Sequence, residues 1–234
     1  KKAITKNITR ILTFGKNPSS NLQILNIKNV NNLDYKIALN YKDKRINFII
    51  NYDQLQKLDN LLICILFFIY NKIDIKTLIS RTQTVPFVEG RGRHNQILFY
   101  NIKITFIDES YNASPQSMKN AINYIKNFNT KKNQKKFVVL GDMLELGDNK
   151  LKYHIDLLNY ISEKKLDNVI ICGELMKIAL KKSNNVNIIF FMNIKSILNY
   201  LNKKINSNDI VLIKGSNSSL TNKLAKDFLI NGVA

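Results

Sequence analysis

The sequence predicts an α/β protein whose carboxyl-terminal part is a doubly wound, mostly parallel sheet of the Rossmann-like kind. Strand and helix patterns alternate five times after residue 102, which is typical of a parallel sheet with helices on both faces. The strand segments are almost wholly apolar, as expected when a parallel sheet is buried on both sides. Residues 82–96 interrupt the pattern with one Pro and two Gly, and we expect a domain boundary there.

The predicted elements of the carboxyl-terminal part follow one another in a regular order. The strands are expected at 103–108, 137–141, 168–173, 187–191 and 209–215, and the helices at 115–128, about 150–164, 174–182, 194–205 and 219–230. In sheets of this kind ligands bind beyond the carboxyl ends of the strands. The loops that follow the strands are therefore the places to look for function.

The amino-terminal part has a different pattern. Residues 10–51 contain four short strand candidates, with residues 41–45 as a turn between the last two. Residues 54–71 have the length and apolarity of a buried helix, and 73–81 form a shorter amphipathic one. Cys64 and Cys172 lie inside apolar runs and are expected to be core thiols of a protein in a reducing compartment.

Charge and hydropathy argue against two classes of protein. Lys and Arg number 36 against 17 Asp and Glu, giving a net charge of +19, but the lysines are spread over the chain together with many Asn and Ile. We interpret the densest run, residues 131–136, as a solvated loop rather than a nucleic-acid footprint. The apolar run Leu61–Tyr70 is too short for a membrane span, which needs about 20 residues.

The first loop of interest is DESYNASP, residues 108–115. Asp108 ends a strand, where a carboxylate can accept hydrogen bonds from a ribose hydroxyl or from backbone N–H groups. Tyr111 and Asn112 add an aromatic face and an amide, and Ser114-Pro115 is a good helix start. The alternative is that Asp108 and Glu109 only satisfy neighbouring N–H groups.

The second loop is GDMLELGDNK, residues 141–150. Gly141 permits a tight turn, and Asp142 and Glu145 are expected to face the same edge of the sheet as Asp108. His154 follows on the next helix and is the one candidate for a catalytic side chain. The alternative is that the loop is an ordinary connection and His154 a packing or capping residue.

The third loop, KGSNSS, begins with Lys214, Gly215, Ser216 and Asn217. Lys214 offers a positive charge, and the following N–H groups lie at a helix N-terminus, so the loop could hold a carboxylate or phosphate oxygen. The alternative is a helix cap beside a solvated lysine. The phosphate-binding pattern GxxxxGK(S/T) does not occur in the 234 residues.

Arg91 lies between Gly90 and Gly92 at the predicted boundary. The two glycines leave the backbone free to bend, and an arginine is suited to forked contacts with phosphate. We expect Arg93 and His94 to be surface residues.

Together these motifs resemble a known family. GRG, IDESYNASPQSM, VVLGDMLELG with a His seven residues later, and DIVLIKGSNSS resemble, in order and spacing, the carboxyl-terminal part of the Mur ligases. Upstream, TFGKNPSSNLQILNI resembles the distal part of the central ATPase domain of that family. The resemblance implies an incomplete central ATP-binding domain at 1–88 and a carboxyl-terminal Mur ligase domain at 89–234.

The resemblance is greatest to the members that join D-Ala-D-Ala to UDP-MurNAc-tripeptide with ATP and Mg²⁺, through an acyl phosphate, in peptidoglycan synthesis. It implies a monomeric cytoplasmic enzyme that serves cell-wall formation, cell shape and cell division. It also implies that Arg91, Asp108, Tyr111 and Asn112 face the nucleotide. By the same resemblance Asn112 and residues 214–217 (Lys214, Gly215, Ser216 and Asn217) lie near the incoming dipeptide.

The sequence also departs from the family pattern. It opens without Met and holds neither the P-loop nor the magnesium ligands of the central domain, so we expect a part of a ligase that does not turn over alone. Two alternatives stay open: a stand-alone nucleotide- or sugar-phosphate-binding α/β module, and a basic nucleic-acid-binding protein.

Overall fold

The computed structural model describes residues 11–31, 34–82, 89–183 and 187–230. The chain divides into two compact units, residues 1–86 and 87–234. The sequence predicts a domain boundary at 82–96. Residues 83–88 of that segment lie outside the described residues.

The first unit is a small sheet covered by helices. Its elements are β1 (Phe14–Gly15), β2 (Leu22–Asn29), β3 (Asp34–Tyr41), β4 (Lys44–Asn51), α1 (Tyr52–Gln56), α2 (Leu58–Tyr70) and α3 (Ile75–Thr82). The strand order is β1-β2-β3-β4, with β1 parallel to β2 and the other pairs antiparallel. Side chains of β2, β3, β4 and α2 form its core.

Two features of this unit differ from expectation. The turn between β3 and β4 is tight although it contains no Gly or Asn, because Lys42 and Asp43 both adopt positive φ (47° and 62°). Helix α2 is not buried all round: Leu62 and Ile65 are fully buried, whereas Ile63 and Phe67 are more than half exposed. Cys64 is also exposed, so the prediction of a core thiol is right only for Cys172.

The second unit is a six-stranded sheet flanked by helices. Its elements are β5 (Arg93–Phe99), β6 (Ile102–Glu109), α4 (Pro115–Asn127), β7 (Lys136–Leu140), α5 (Lys150–Lys164), β8 (Val169–Ile171), α6 (Glu174–Lys181), β9 (Ile188–Phe190), α7 (Ile194–Lys204), β10 (Ile210–Lys214) and α8 (Leu220–Ile230). The strand order is β5-β6-β10-β7-β8-β9. All pairs are parallel except β5 with β6, so the α/β fold with a mostly parallel sheet is confirmed.

The sequence did not predict strand β5, and it predicted one helix at 54–71 where the structure has α1 and α2. The first residues of β5, Arg93–Gln96, are polar, and the strand lies at the edge of the sheet, where the apolar pattern of a buried strand is not required. It reaches β6 through a tight turn in which Tyr100 and Asn101 have positive φ (46° and 64°).

The direction of each crossover connection between strands determines on which face of the sheet its helix lies. The connections from β6 to β7, β8 and β9 all advance in one direction, and the connection from β9 to β10 returns to the middle of the sheet. Right-handed crossovers therefore place α4, α5 and α6 on one face and α7 on the other. Helix α8 joins α7 there, in a core with Phe106, Ile213 and Phe228.

This topology brings the ends of β6, β10 and β7 together at one edge, and each is followed by a loop that the sequence singled out. Within the described part of the chain, no helix combines the length and the apolarity that a membrane crossing requires.

Candidate functional site

A cleft of about 380 Å³ opens at the carboxyl edge of the second unit, between the end of β6 and helix α8. Three of the residues that the sequence predicted line it, namely Asp108, Tyr111 and Asn217. The remaining lining residues are Glu89, Gly90, Ser110, Asn222, Lys226 and Leu229. The cleft therefore holds carboxylate, ammonium, amide and aromatic groups within one small volume.

Asp108 lies at the inner wall of the cleft and is only 5% exposed. Its Oδ1 accepts hydrogen bonds from the backbone N–H of Ser110 (3.0 Å) and from the Ser110 hydroxyl (2.7 Å). Burial raises the pKa of Asp108, against the lowering effect of the bonds from Ser110 and Gly90. Oδ1 thus satisfies local donors, as the alternative interpretation predicted, and the side chain also lines the cleft, where contact with a ligand stays a prediction.

The Gly90–Gly92 segment is fastened to the end of β6. Gly92 donates its N–H to the carbonyl of Asp108 (2.7 Å), and the N–H of Tyr111 donates to the carbonyl of Gly90 (3.1 Å). Gly90 has φ +72°, and a Cβ there would lie 2.8 Å from the backbone nitrogen of Tyr111. Only glycine fits both requirements.

Arg91 extends from this segment over Tyr111. Its guanidinium carbon lies 4.4 Å from the centre of the Tyr111 ring, within cation–π range. Arg91 is exposed and Tyr111 is 41% exposed. The pair therefore forms an accessible cationic and aromatic rim beside the cleft.

The loop from Tyr111 leads directly into α4. Ser114 accepts a hydrogen bond from the N–H of Ser117, the Ser117 hydroxyl accepts one from the N–H of Ser114, and Pro115 is the first helical residue. This confirms the predicted helix start. The side chain of Asn112 is exposed in the same loop.

Lys214 is not the free charge that the sequence predicted. Its ammonium lies 2.9 Å from Oε2 of Glu109 and donates to the carbonyl of Asn112, also at 2.9 Å. Parallel pairing of β10 with β6 puts Lys214 directly beside Glu109, which explains the contact. The residue is 3% exposed.

The rest of the KGSNSS loop packs against Thr221, which is fully buried. A Cβ on Gly215 would lie 2.1 Å from the Thr221 hydroxyl, and one on Gly141 would lie 2.7 Å from its methyl group. Ser216 donates its N–H to the carbonyl of Asp142 (3.1 Å), and its hydroxyl accepts from the N–H of Leu144 (2.9 Å). Of the four predicted residues, Asn217 is the one that reaches the cleft.

The GDMLELG loop follows β7 and lies beside the cleft, at the same carboxyl ends of the strands. Asp142 accepts hydrogen bonds from the N–H groups of Met176 (2.9 Å) and Leu175 (3.3 Å) and so caps α6. A second concavity of about 230 Å³ lies between this loop and the start of α8, with Asp142, Ser218 and Met192 among its lining residues. Glu145 does not line either concavity.

His154 has a structural environment. Its Nε2 accepts the N–H of Met143 (2.9 Å) and its Nδ1 lies 2.6 Å from the carbonyl of Lys150, a pattern that requires the proton on Nδ1. The ring is fully buried, and burial lowers its pKa despite the nearby Asp142. Both nitrogens are engaged, so the side chain orients the GDMLELG loop.

The sequence suggested a surface position for His94, but the residue is half-buried. Its Nε2 lies 3.0 Å from the hydroxyl of Tyr124, and its ring stacks on Phe128. Burial lowers the pKa of His94 to about 4, despite the field of Glu109. It belongs to the packing of β5 on α4.

Sequence reasoning missed Ser110, Asn222 and Lys226. The last two lie four residues apart and so share one face of α8, which is the only signal that could have found them. Among the described residues, no group of three or more His, Cys, Asp or Glu side chains could hold a metal ion.

A protein-family model matches a part of the chain that contains Asp108, Tyr111 and Asn217 of this cleft. The family model "Mur ligase, glutamate ligase domain" matches residues 94–217, more than half of the chain. The match includes the ends of β6, β7 and β10.

Curated relatives carry one name. The UDP-N-acetylmuramoyl-tripeptide–D-alanyl-D-alanine ligase of Rickettsia prowazekii is 29% identical over 228 residues, which is 95% of this chain and 48% of that protein. The Bacillus subtilis ligase of the same name is 32% identical over 142 residues, 59% of this chain and 31% of that protein. The chain thus spans about half the length of the first of these relatives, and less of the second.

Solved structures show the same fold. MurF from Acinetobacter baumannii matches with a TM-score of 0.77 at 20% identity, covering 94% of this chain and 47% of that one. The MurF ligase of Thermotoga maritima in complex with ADP matches with a TM-score of 0.71 at 21% identity, covering 94% and 48%. On the strength of the family match and of the motifs that it contains, this chain belongs to the Mur ligase family.

Proposed function

We propose that this chain supplies the carboxyl-terminal half of an ATP-dependent ligase that joins D-Ala-D-Ala to UDP-MurNAc-tripeptide. The observation that carries the proposal is the cleft in which Asp108, Tyr111 and Asn217 meet at the carboxyl edge of the sheet. The names of the Rickettsia prowazekii and Bacillus subtilis relatives support the choice of substrates. The product serves peptidoglycan synthesis, and with it cell shape and division, in the cytoplasm.

The reaction has two chemical steps. The terminal carboxylate of the tripeptide attacks the γ-phosphorus of ATP, which forms an acyl phosphate and releases ADP. The amine of D-Ala-D-Ala then attacks the acyl carbon, forms the amide, and expels phosphate while losing a proton. Positioning and charge neutralisation supply most of the rate in such phosphoryl transfers.

The residues of this chain take part through binding. We assign Asp108, which lines the cleft, as the acceptor of hydrogen bonds from ribose hydroxyls, and Tyr111 offers an exposed ring face at the rim. Arg91 brings a guanidinium, suited to a phosphate, to the same rim. Lys226 adds a second cation inside the cleft. Asn112 and residues 215–217 form the side on which we place the dipeptide.

ATP and Mg²⁺ are the proposed cofactors. The described residues offer no cluster suited to a metal ion, so we assign the magnesium ligands to the nucleotide phosphates and to a part of the ligase outside them. The GxxxxGK(S/T) pattern is also absent from the printed sequence, so the phosphate-binding loop is assigned to the same part.

The experiment is a chimera. The half of the Rickettsia prowazekii ligase that this chain does not match is fused ahead of residue 1, and phosphate release is measured with ATP, UDP-MurNAc-tripeptide and D-Ala-D-Ala. We expect turnover that depends on all three substrates, and none from the chain alone. A folded chimera without turnover, beside an active Rickettsia enzyme, would contradict the proposal. Sustained turnover by the chain alone would contradict the need for the second half.

The size of the native ligase can be checked in the same preparation. We propose a monomer, since the site described lies within one unit. Light scattering of the active chimera should give the mass of one chain.

A further inference from the structure

The ends of β6 and β10 carry a buried ion pair that the binding roles above do not use. Lys214 and Glu109 lie 2.9 Å apart with side chains 4% and 6% exposed. They are direct neighbours in the parallel register of the two strands. Neither residue lines the cleft next to them.

Strand geometry explains why adjacent acids have different roles. Asp108 and Glu109 are successive residues of β6, so their side chains point to opposite faces of the sheet. Asp108 faces the side of α8 and lines the cleft. Glu109 faces the side of α4, where it meets Lys214.

The ammonium also holds the loop that follows. Lys214 Nζ donates to the carbonyl of Asn112 at 2.9 Å, joining positions 102 residues apart in the chain. This carbonyl lies one residue after Tyr111, whose ring forms the rim of the cleft. With two acceptors filled in a buried position, the ammonium cannot turn to a ligand without breaking both its contact with Glu109 and its hydrogen bond to Asn112.

We propose that Lys214 is a positioning residue, which fixes the 110–114 loop at the cleft from beneath, and that Glu109 is its counter-charge. Lys214 does not itself contact the nucleotide or the dipeptide. The ADP-binding measurements below rest on the proposed function. The measurements of unfolding and of ligand-free NMR spectra do not.

The test compares four variants of the full chain: Lys214→Met, Glu109→Gln, the double variant, and Lys203→Met. Lys203 is exposed in the last turn of α7, has no part in the pair, and serves as the control. Thermal unfolding, amide NMR spectra without ligand, and the Kd for ADP are measured for each.

Stability reports whether the two charges depend on each other. Lys214→Met removes the ammonium from the buried Glu109 carboxylate and from the Asn112 carbonyl, and should lower Tm by roughly 10 °C. The double variant removes both charges of the contact, so its loss of Tm should be clearly smaller than the sum of the two single losses. Additive losses, with the double variant losing as much as the two single variants together, would overturn the pairing.

Binding separates positioning from general stability. In the double variant the carbonyl of Asn112 is still unheld, so the amide signals of Tyr111 and Asn112 should stay displaced and the Kd for ADP should stay about 10-fold weaker. A 10-fold change in Kd corresponds to about 1.4 kcal/mol. Normal ADP affinity in the double variant would overturn the positioning role.

Two further results exclude direct contact. The side-chain ¹⁵Nζ signal of Lys214 should not move when ADP or inorganic phosphate is added, and Glu109→Gln should not tighten binding of either. A shifted signal, or tighter binding once the carboxylate is removed, would show that the ammonium meets the ligand. If the unaltered chain binds no ADP, the proposed function fails, while the unfolding data and ligand-free spectra still decide the role of Lys214.

Discussion

The carboxylate of Asp142 occupies the space that a side chain at Gly173 would need. A Cβ on Gly173 would lie 2.4 Å from the Asp142 carboxyl carbon, and Gly173 has φ +109°. The same carboxylate caps α6 through the N–H groups of Leu175 and Met176. The end of β7 and the start of α6 are thus joined by one side chain that tolerates only glycine beside it.

Gly173→Ala should therefore be strongly destabilising. The new methyl group displaces the Asp142 carboxylate and the backbone is strained, which together should cost at least about 2 kcal/mol. Chemical denaturation measures this free energy. Gly147→Ala is the matched control, since Gly147 also has positive φ (60°) but nothing lies within 4 Å of the added Cβ. Its cost should be only about 1 kcal/mol, and equal costs would contradict the account of the Asp142 cap.

Asp108→Asn should stabilise the fold and weaken the binding of ADP. Burial raises the folded-state pKa of Asp108, so the ionised form opposes folding and the stability associated with the protonated form is lost as pH rises through that pKa. A neutral amide whose oxygen still accepts from Ser110 removes this penalty, and Tm at pH 7.5 should rise by about 2–4 °C.

The same variant should bind ADP about 10-fold more weakly, because a hydrogen bond from a ribose hydroxyl to a charged acceptor is replaced by one to a neutral acceptor. Calorimetric titration measures the Kd. Asp156→Asn, on the surface of α5, should leave both Tm and Kd unchanged. A rise in Tm with unchanged ADP affinity would remove Asp108 from the nucleotide site.

The chain should lose stability in mild acid because its two histidines are neutral in the fold. The pKa of His94 is lowered from 6.5 to about 4 by burial, and that of His154 is lowered for the same reason. The unfolded chain therefore takes up protons first. The stability from neutral His94 is complete above pH 6.5 and declines as pH falls towards 4, by up to about 3 kcal/mol.

Unfolding curves between pH 4 and 8, compared with those of His94→Gln, isolate this contribution from that of the carboxylates. The variant should show a shallower decline between pH 6.5 and 4 than the unaltered chain. Parallel curves would mean that His94 is already able to take up a proton in the fold.

Arg91→Ala should affect binding more than stability. The guanidinium is exposed, and its contact with the Tyr111 ring (4.4 Å) should contribute only about 0.5–1 kcal/mol, so Tm should change by less than about 3 °C. Its proposed role at the phosphates predicts a several-fold weaker Kd for ADP, whereas Arg45→Ala in the other unit should change nothing. A large fall in Tm with unchanged affinity would make Arg91 a structural residue.

The predictability of the site depends on how local each feature is. The helix start at Ser114-Pro115 and the placement of Asp108 at a strand end follow from neighbouring residues, and both are confirmed by the structure. The pairing of Lys214 with Glu109 was not predictable. It depends on β10 entering between β6 and β7, a choice of strand order that no local pattern encodes.

Other departures have similar causes. Thr221 contacts both Gly141 and Gly215 because the start of α8 lies between the GDMLELG loop and the KGSNSS loop. His154 has the same sequence signal as a catalytic histidine, and no local pattern predicts that its two ring nitrogens meet backbone groups of Met143 and Lys150. Strand β5 lacked a signal because an edge strand needs no continuous apolar pattern.

The most direct test of the central claim is an amide NMR titration of the chain with ADP. The account predicts saturable shifts at the carboxyl edge, at Gly90, Ser110, Tyr111 and Asn217, with Lys203 unaffected. Shifts confined to the opposite edge, around Lys135 and Asn168, or none at millimolar ADP, would contradict a nucleotide site in this cleft.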